Sequence, residues 1–144
     1  MINEKKLDLS YIAGFFDGEG CINSSKSGLR ATITNTDIQV LLLIQEYYKK
    51  GKIRSRKLKE FEKRKPCYML EFWSNDAVEF LYSIYPFLII KKDQAEIAFE
   101  YQKTYRKKAG KGSLKVRAVP KELLLLRESL ALKLSNLKHI INVD

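Results

Sequence analysis

The segment Ile12-Ala-Gly-Phe-Phe-Asp-Gly-Glu-Gly20 constrains the fold more than any other part of the chain. Asp8 or Ser10 can cap a helix that begins near Leu9 and sets Ile12, Phe15 and Phe16 on one apolar side. Gly14 and Gly18 then fall four residues apart on one face, beside Ala13. Each glycine costs a helix roughly 1 kcal/mol relative to alanine. That cost is offset if a second backbone approaches closely, which small residues at this spacing allow. A C-cap accounts for Gly20, with Gly18 closing the helix beside it, but not for Gly14. Glu19 sits at the C-terminal end, where the macrodipole disfavours an anion. Taken alone it reads as a solvated surface acid; a carboxylate held in a locally negative place is also a reasonable ligand for a hard divalent cation.

The rest of the chain alternates between strand and helix periodicities. Cys21-Ile-Asn-Ser-Ser-Lys and Leu29-Arg-Ala-Thr-Ile-Thr, separated by Ser27-Gly28, predict two short strands. Asp37 caps a helix through Val40, Leu41, Leu43, Ile44, Tyr47 and Tyr48, closed by Gly51. Lys52-Ile-Arg-Ser-Arg-Lys and Cys67-Tyr-Met-Leu-Glu-Phe-Trp form a second strand pair around a charged loop, and Ser74 or Asn75 caps a helix that ends before Pro86. Gln94 to Tyr105 is a further helix, and residues 103–117 form a basic linker. A final helix over 120–141 carries an apolar stripe of Leu123, Leu126, Leu130, Leu134, Leu137 and Ile141. The expected fold is α+β in a single domain over 1–144. An αββαββα core places helices on one face of a four-stranded antiparallel sheet, and a C-terminal helix is added to it.

Period-two alternation assigns the faces of the second strand pair. Ile53, Tyr68, Leu70 and Phe72 point toward the helices, whereas Arg54, Arg56, Cys67, Met69 and Glu71 point away. The net charge of +10 is concentrated in two blocks, the first of which overlaps this strand pair. Residues 49–65 hold ten Lys or Arg against two Glu, and residues 103–117 hold seven Lys or Arg and no acid. Clustered cations favour a polyphosphate, because binding releases condensed counterions; an anionic membrane surface is the competing partner on charge alone. A basic two-stranded ribbon fits the DNA major groove, where arginine can bond guanine through paired donors, although an exposed strand can also be basic by chance.

Several chemistries are excluded. His139 is the only histidine, and Cys21 and Cys67 stand far apart. One chain therefore cannot assemble the N/S ligands of a usual zinc site, and a Ser-His-Asp triad would depend on His139 alone. The opening Met1-Ile-Asn-Glu-Lys-Lys lacks the apolar core of a signal peptide, and no apolar run is long enough to cross a bilayer. An intracellular protein is expected, with no membrane partner and no organic cofactor, in a prokaryotic cytoplasm or an organelle.

The nonapeptide Ile12–Gly20 closely resembles the motif for which the LAGLIDADG homing endonucleases are named. Thr34-Asn-Thr-Asp37 resembles that family's segment after its second strand, and Pro86-Phe-Leu-Ile-Ile-Lys91-Lys-Asp-Gln-Ala95 a later element that supplies a basic residue. The likeness spans about residues 8–105 and leaves the last helix unassigned. It implies that Glu19 binds the catalytic metal with help from the Gly18 carbonyl, Glu replacing the more frequent Asp. It also implies that Asn35 lies near the scissile phosphate and that Lys91 is the basic active-site residue. A further polar contributor would fall near Gln39. Ala13, Gly14, Asp17 and Gly18 would line the helix–helix interface of a homodimer, and Asn23, Ser25, Arg30, Thr32, Arg54, Arg56 and Met69 would face DNA.

One motif provides one acidic ligand, too few to hold Mg²⁺ against its hydration shell. Two motif helices meeting across a two-fold axis would supply Glu19 from each chain, with Mn²⁺ as a substitute for Mg²⁺. The implied activity is hydrolysis of both strands of a long, roughly palindromic double-stranded DNA site. A non-cleaving binder on the same fold, such as an intron RNA maturase or a transcriptional regulator, is the alternative.

Overall fold

A computed structural model describes residues 7–56, 58–105 and 119–138. Residues 106–117 of the expected linker, together with His139 and Ile141, lie outside the described residues. The elements follow the order α1 (Leu9–Glu19), β1 (Gly20–Ser25), β2 (Gly28–Asn35), α2 (Ile38–Tyr48), β3 (Lys52–Arg56), β4 (Cys67–Trp73), α3 (Ser74–Ile84), α4 (Lys92–Lys103) and α5 (Lys121–Lys138). A short 3-10 turn, Tyr85–Phe87, links α3 to the segment before α4. No described helix is long and apolar enough to cross a membrane.

Local chemistry sets most boundaries. The Asp8 carboxylate accepts from the Tyr11 N–H at 2.8 Å and starts α1; Asp37 does the same for Gln39 at 2.9 Å and starts α2. Two expectations need correction here. α3 has Trp73 at its cap position with no side-chain cap, and the Ser74 hydroxyl instead points to the Ser27 carbonyl. α2 is closed by Lys49 in the left-handed conformation, ahead of Gly51. Gly51 serves β3 instead: its φ is +94°, and a Cβ there would lie 2.9 Å from both Leu70 and Phe72.

The four strands form one antiparallel sheet in the order β1-β2-β4-β3, so the two hairpins join through β2 and β4. Ile22, Leu29, Ala31, Ile33, Leu70 and Phe72 fill its inner face and are buried. Phe72 stacks on Phe80 of α3 with centroids 4.4 Å apart, and Phe16 of α1 meets Phe80 edge-on at 5.3 Å. This aromatic junction ties α1 and α3 to the sheet. Cys21 and Cys67 are free, half-buried thiols.

α5 lies along α4 and the β1 edge and buries Leu130 and Leu134. The expected leucine stripe is rotated at its first turns, since Leu126 is 50% exposed. Arg127 takes the inward position. Its guanidinium donates to the Thr104 carbonyl at 2.9 Å and lies 3.8 Å from the Tyr105 ring centroid, capping the end of α4.

Candidate nucleic-acid interface and active site

Gly18 and Glu19 form the exposed last turn of α1, and Gly20 leads directly into the sheet. Gly18 is helical, so only Gly20 ends the helix. A Cβ at Gly20 would lie 2.3 Å from the Phe16 ring, which is why glycine stands there. The Glu19 carboxylate enters none of the ion pairs among the described residues.

Asp17 organises the surroundings. Its buried carboxylate accepts from the backbone N–H of Ile89 at 2.7 Å and of Lys91 at 3.0 Å. The Lys91 ammonium in turn donates to the Asp17 carbonyl at 2.5 Å. A chain segment seventy residues downstream is thereby clamped to the last turn of α1. Lys91 is half-buried beside this turn. Burial pulls its pKa below the usual lysine value, against the opposing pull of Asp17, Cys21 and Glu19. Lys92 points elsewhere, with its ammonium over the Tyr85 ring.

Asn35 ends β2 at the edge where α1 enters the sheet, because Gly20 pairs with Ile33. Its side-chain oxygen accepts from the Asp37 N–H at 2.8 Å and closes the turn into α2. That oxygen is therefore committed to the backbone. Gln39 is exposed in the first turn of α2.

The expected interface residues divide in two. Ala13 is fully buried within its own chain, and the Asp17 carboxylate is bonded to Ile89 and Lys91 of the same chain. Gly14 and Gly18 are exposed, and a Cβ built on either would meet nothing within 4 Å. Nothing among the described residues requires glycine at these two positions.

The outer face of the sheet carries Asn23, Arg30, Arg54, Arg56 and Met69, as alternation predicts. Arg54 and Arg56 are exposed. Thr32 is not accessible: it is buried between Cys21 and Glu71 on the flanking strands. Ser25 is half-buried and closes its own hairpin, its hydroxyl donating to the Gly28 carbonyl at 3.1 Å. Asn23 accepts from the Lys138 ammonium at 2.6 Å.

A model of the LAGLIDADG-like domain matches residues 6–85, more than half of the chain. The chain belongs to the LAGLIDADG family. No match is found among curated proteins. Among solved structures the chain is similar to the homing endonuclease I-CvuI in complex with its target in the presence of calcium. That match has a TM-score of 0.67 at 20% identity and covers 93% of this chain and 83% of that one. I-CvuI has also been solved with magnesium and uncleaved DNA. The archaeal intron-encoded homing endonuclease I-Vdi141I, complexed with DNA, matches with a TM-score of 0.66 at 22% identity, covering 94% of this chain and 88% of that one. The LAGLIDADG meganuclease I-AabMI, bound to uncleaved DNA, gives a TM-score of 0.63 at 21% identity over 87% of this chain and 44% of that one. At these identities the likeness establishes the fold, which is that of the LAGLIDADG homing endonucleases.

Two residues absent from the motif reading stand out on this LAGLIDADG framework. Lys138 of α5 joins Lys91, Gly20, Cys21 and Gln94 around a cleft of about 610 Å³. No local signal could reveal this, because the bond that anchors Lys138, to Asn23, joins positions 115 residues apart. Glu71 was legible as an outward-facing acid among arginines, but not as the partner of two of them.

Proposed function

We propose that this chain is a divalent-metal-dependent endonuclease that acts as a homodimer and cuts both strands of a long, roughly palindromic DNA site. The observation that carries this reading is the exposed Glu19 carboxylate, set at the end of the motif helix beside a Lys91 that Asp17 holds in place. A non-cleaving binder on the same fold has no use for that juxtaposition.

The donor set fits a hard cation shared between two chains. Glu19 offers carboxylate oxygens and Gly18 a carbonyl at an exposed helix end. Among the described residues no three His, Cys, Asp or Glu side chains converge within one chain. Mg²⁺ prefers octahedral oxygen coordination, so Glu19 from a second copy, phosphate oxygens and water would complete it. The open face at Gly14 and Gly18 gives that second helix its room. When bound, the cation supplies Lewis-acid stabilisation of the phosphate and a more acidic water. Lys91 places a positive charge where the scissile phosphate gains negative charge, and the clamp on Asp17 keeps that ammonium from swinging into solvent. Mn²⁺ would substitute, since it shares the preference for oxygen ligands.

The sheet positions the duplex. Arg54 and Arg56 project from its outer face, and Arg30 and Met69 lie between them and the β1 edge. The basic block 49–65, which includes β3, supports the phosphate-dependent part of binding.

The decisive experiment uses Glu19→Gln with a genomic or randomised DNA library and Mg²⁺, sequencing the new ends. The parent chain is expected to yield ends sharing one long, near-symmetric site. The variant should still bind that site and leave it intact. Undiminished cutting by the variant, or cutting that survives chelation of every divalent ion, defeats the proposal.

A further inference from the structure

Glu71 is the only acidic side chain among the strand residues of the outer sheet face, and it is only 5% exposed. Its carboxylate is divided between two strands. One oxygen takes Nη2 of Arg30 at 3.0 Å, and the other takes Nε of Arg54 at 2.8 Å. The two arginines are held differently. Arg30 is 29% exposed, has Nη2 3.3 Å from the Met69 sulfur, and lies 5.2 Å from the Trp73 ring centroid. Its Nε is buried with no partner, alone in this among the side-chain nitrogens and oxygens of the described residues. Its position is thus dictated by Glu71, Met69 and Trp73. Arg54 is 58% exposed and is bonded through Nε alone. Both of its terminal nitrogens are left out of every hydrogen bond among the described residues.

We propose that Glu71 is a specificity-positioning residue, which fixes Arg54 to read a guanine in the major groove and makes Arg30 its buttress. This rests on the DNA-cleaving reading above and adds which side chain reads sequence and what aims it. A guanidinium fixed at Nε keeps two donors on its outer edge, and paired donors match the O6 and N7 acceptors of guanine. Glu71 also cancels one of the two positive charges, which weakens this cluster as a phosphate contact and favours a directional role. Glu71 itself is too deeply buried to accept from cytosine. Fixing the fork before binding lowers the ordering cost of one rotamer-rich side chain.

The test measures base preference with the full chain, under conditions where it binds a randomised duplex library without cutting. The parent is expected to enrich a site with guanine at one defined position in each half. Arg54→Lys and Glu71→Gln should each reduce that preference about tenfold while leaving the other positions unchanged. If Glu71→Gln does not melt cooperatively, Glu71→Asp, which keeps the charge but withdraws it, must give the same selective loss. A folded Glu71 variant with full guanine preference overturns the inference. So does an Arg54→Ala protein that loses affinity uniformly over all sequences with a salt slope reduced by about one, the mark of a phosphate contact. A parent chain that enriches no site at all sinks the endonuclease reading itself, which is a separate outcome.

Discussion

The two hairpins of the sheet share one core but are supported unequally. The tip of β1–β2 is held from behind by α4. The hydroxyls of Tyr101 and Tyr105 lie 2.9 and 2.8 Å from the Ser25 carbonyl, and Gln102 accepts from the Leu29 N–H at 3.1 Å. α5 adds Lys138 on Asn23. Among the described residues the β3–β4 hairpin has thinner backing at its outer edge, where Ile53 packs on the core, α2 touches β3 and Gln45 donates to the Gly51 carbonyl at 3.1 Å. Four of the five residues of β3 are exposed, and its attachment runs through Gly51, the pairing with β4 and the Glu71 bridge. The better-supported hairpin has therefore committed much of its outer surface internally, through Asn23, Ser25 and the buried Thr32. The surface left for a partner is concentrated on the less supported one, at Arg54 and Arg56.

Three substitutions separate what the hairpins share from what they do not. The largest effect is expected from Phe80→Ala. Phe80 packs on Phe72 of the second hairpin and on Phe16 of α1, so its loss should cost about 3–5 kcal/mol in denaturant melts and destabilise both hairpins together. Gly51→Ala comes next. A side chain at φ +94° pressed against Leu70 and Phe72 should cost about 1–3 kcal/mol. Amide exchange should accelerate in β3 while β1 keeps its protection. Tyr101→Phe is the mildest, at about 1 kcal/mol, because Tyr105 still reaches the Ser25 carbonyl when the Tyr101 hydroxyl is gone. Its signature is faster exchange confined to Ser24–Leu29. If Tyr101→Phe loosened β3 as much as the first hairpin, the asymmetry described above would be wrong.

Much of this was legible in the residues because it depends on short-range chemistry. Asp8 and Asp37 cap helices by bonding a backbone N–H within three positions, and strand alternation is fixed by the pleat. Leu70 and Phe72 therefore face inward, and Arg54 and Arg56 outward. The errors share a different cause, a partner distant in the chain. Ala13 and Gly14 are both small and adjacent, and only the packing of α1 shows that the first is interior and the second open. Leu126 fits a heptad-like stripe as well as its neighbours do. The turn is taken by Arg127 because the end of α4 leaves Thr104 in need of a donor. The bonds of Asp17 to Ile89 and Lys91 likewise join positions far apart in the chain. Proposed catalysis at Glu19 and Lys91 was visible from the motif, whereas the bond that brings the two segments together was not.

The Asp17 clamp has a consequence for how such a protein can change its target. It joins the acid-bearing turn and the lysine-bearing segment into one mechanical unit, and among the described residues that unit shares no side-chain bond with Arg54, Arg56 or Glu71. If the chain cuts DNA as proposed, residues on the outward-facing strands can be exchanged to suit a new sequence while the proposed cutting parts travel unaltered from one address to the next.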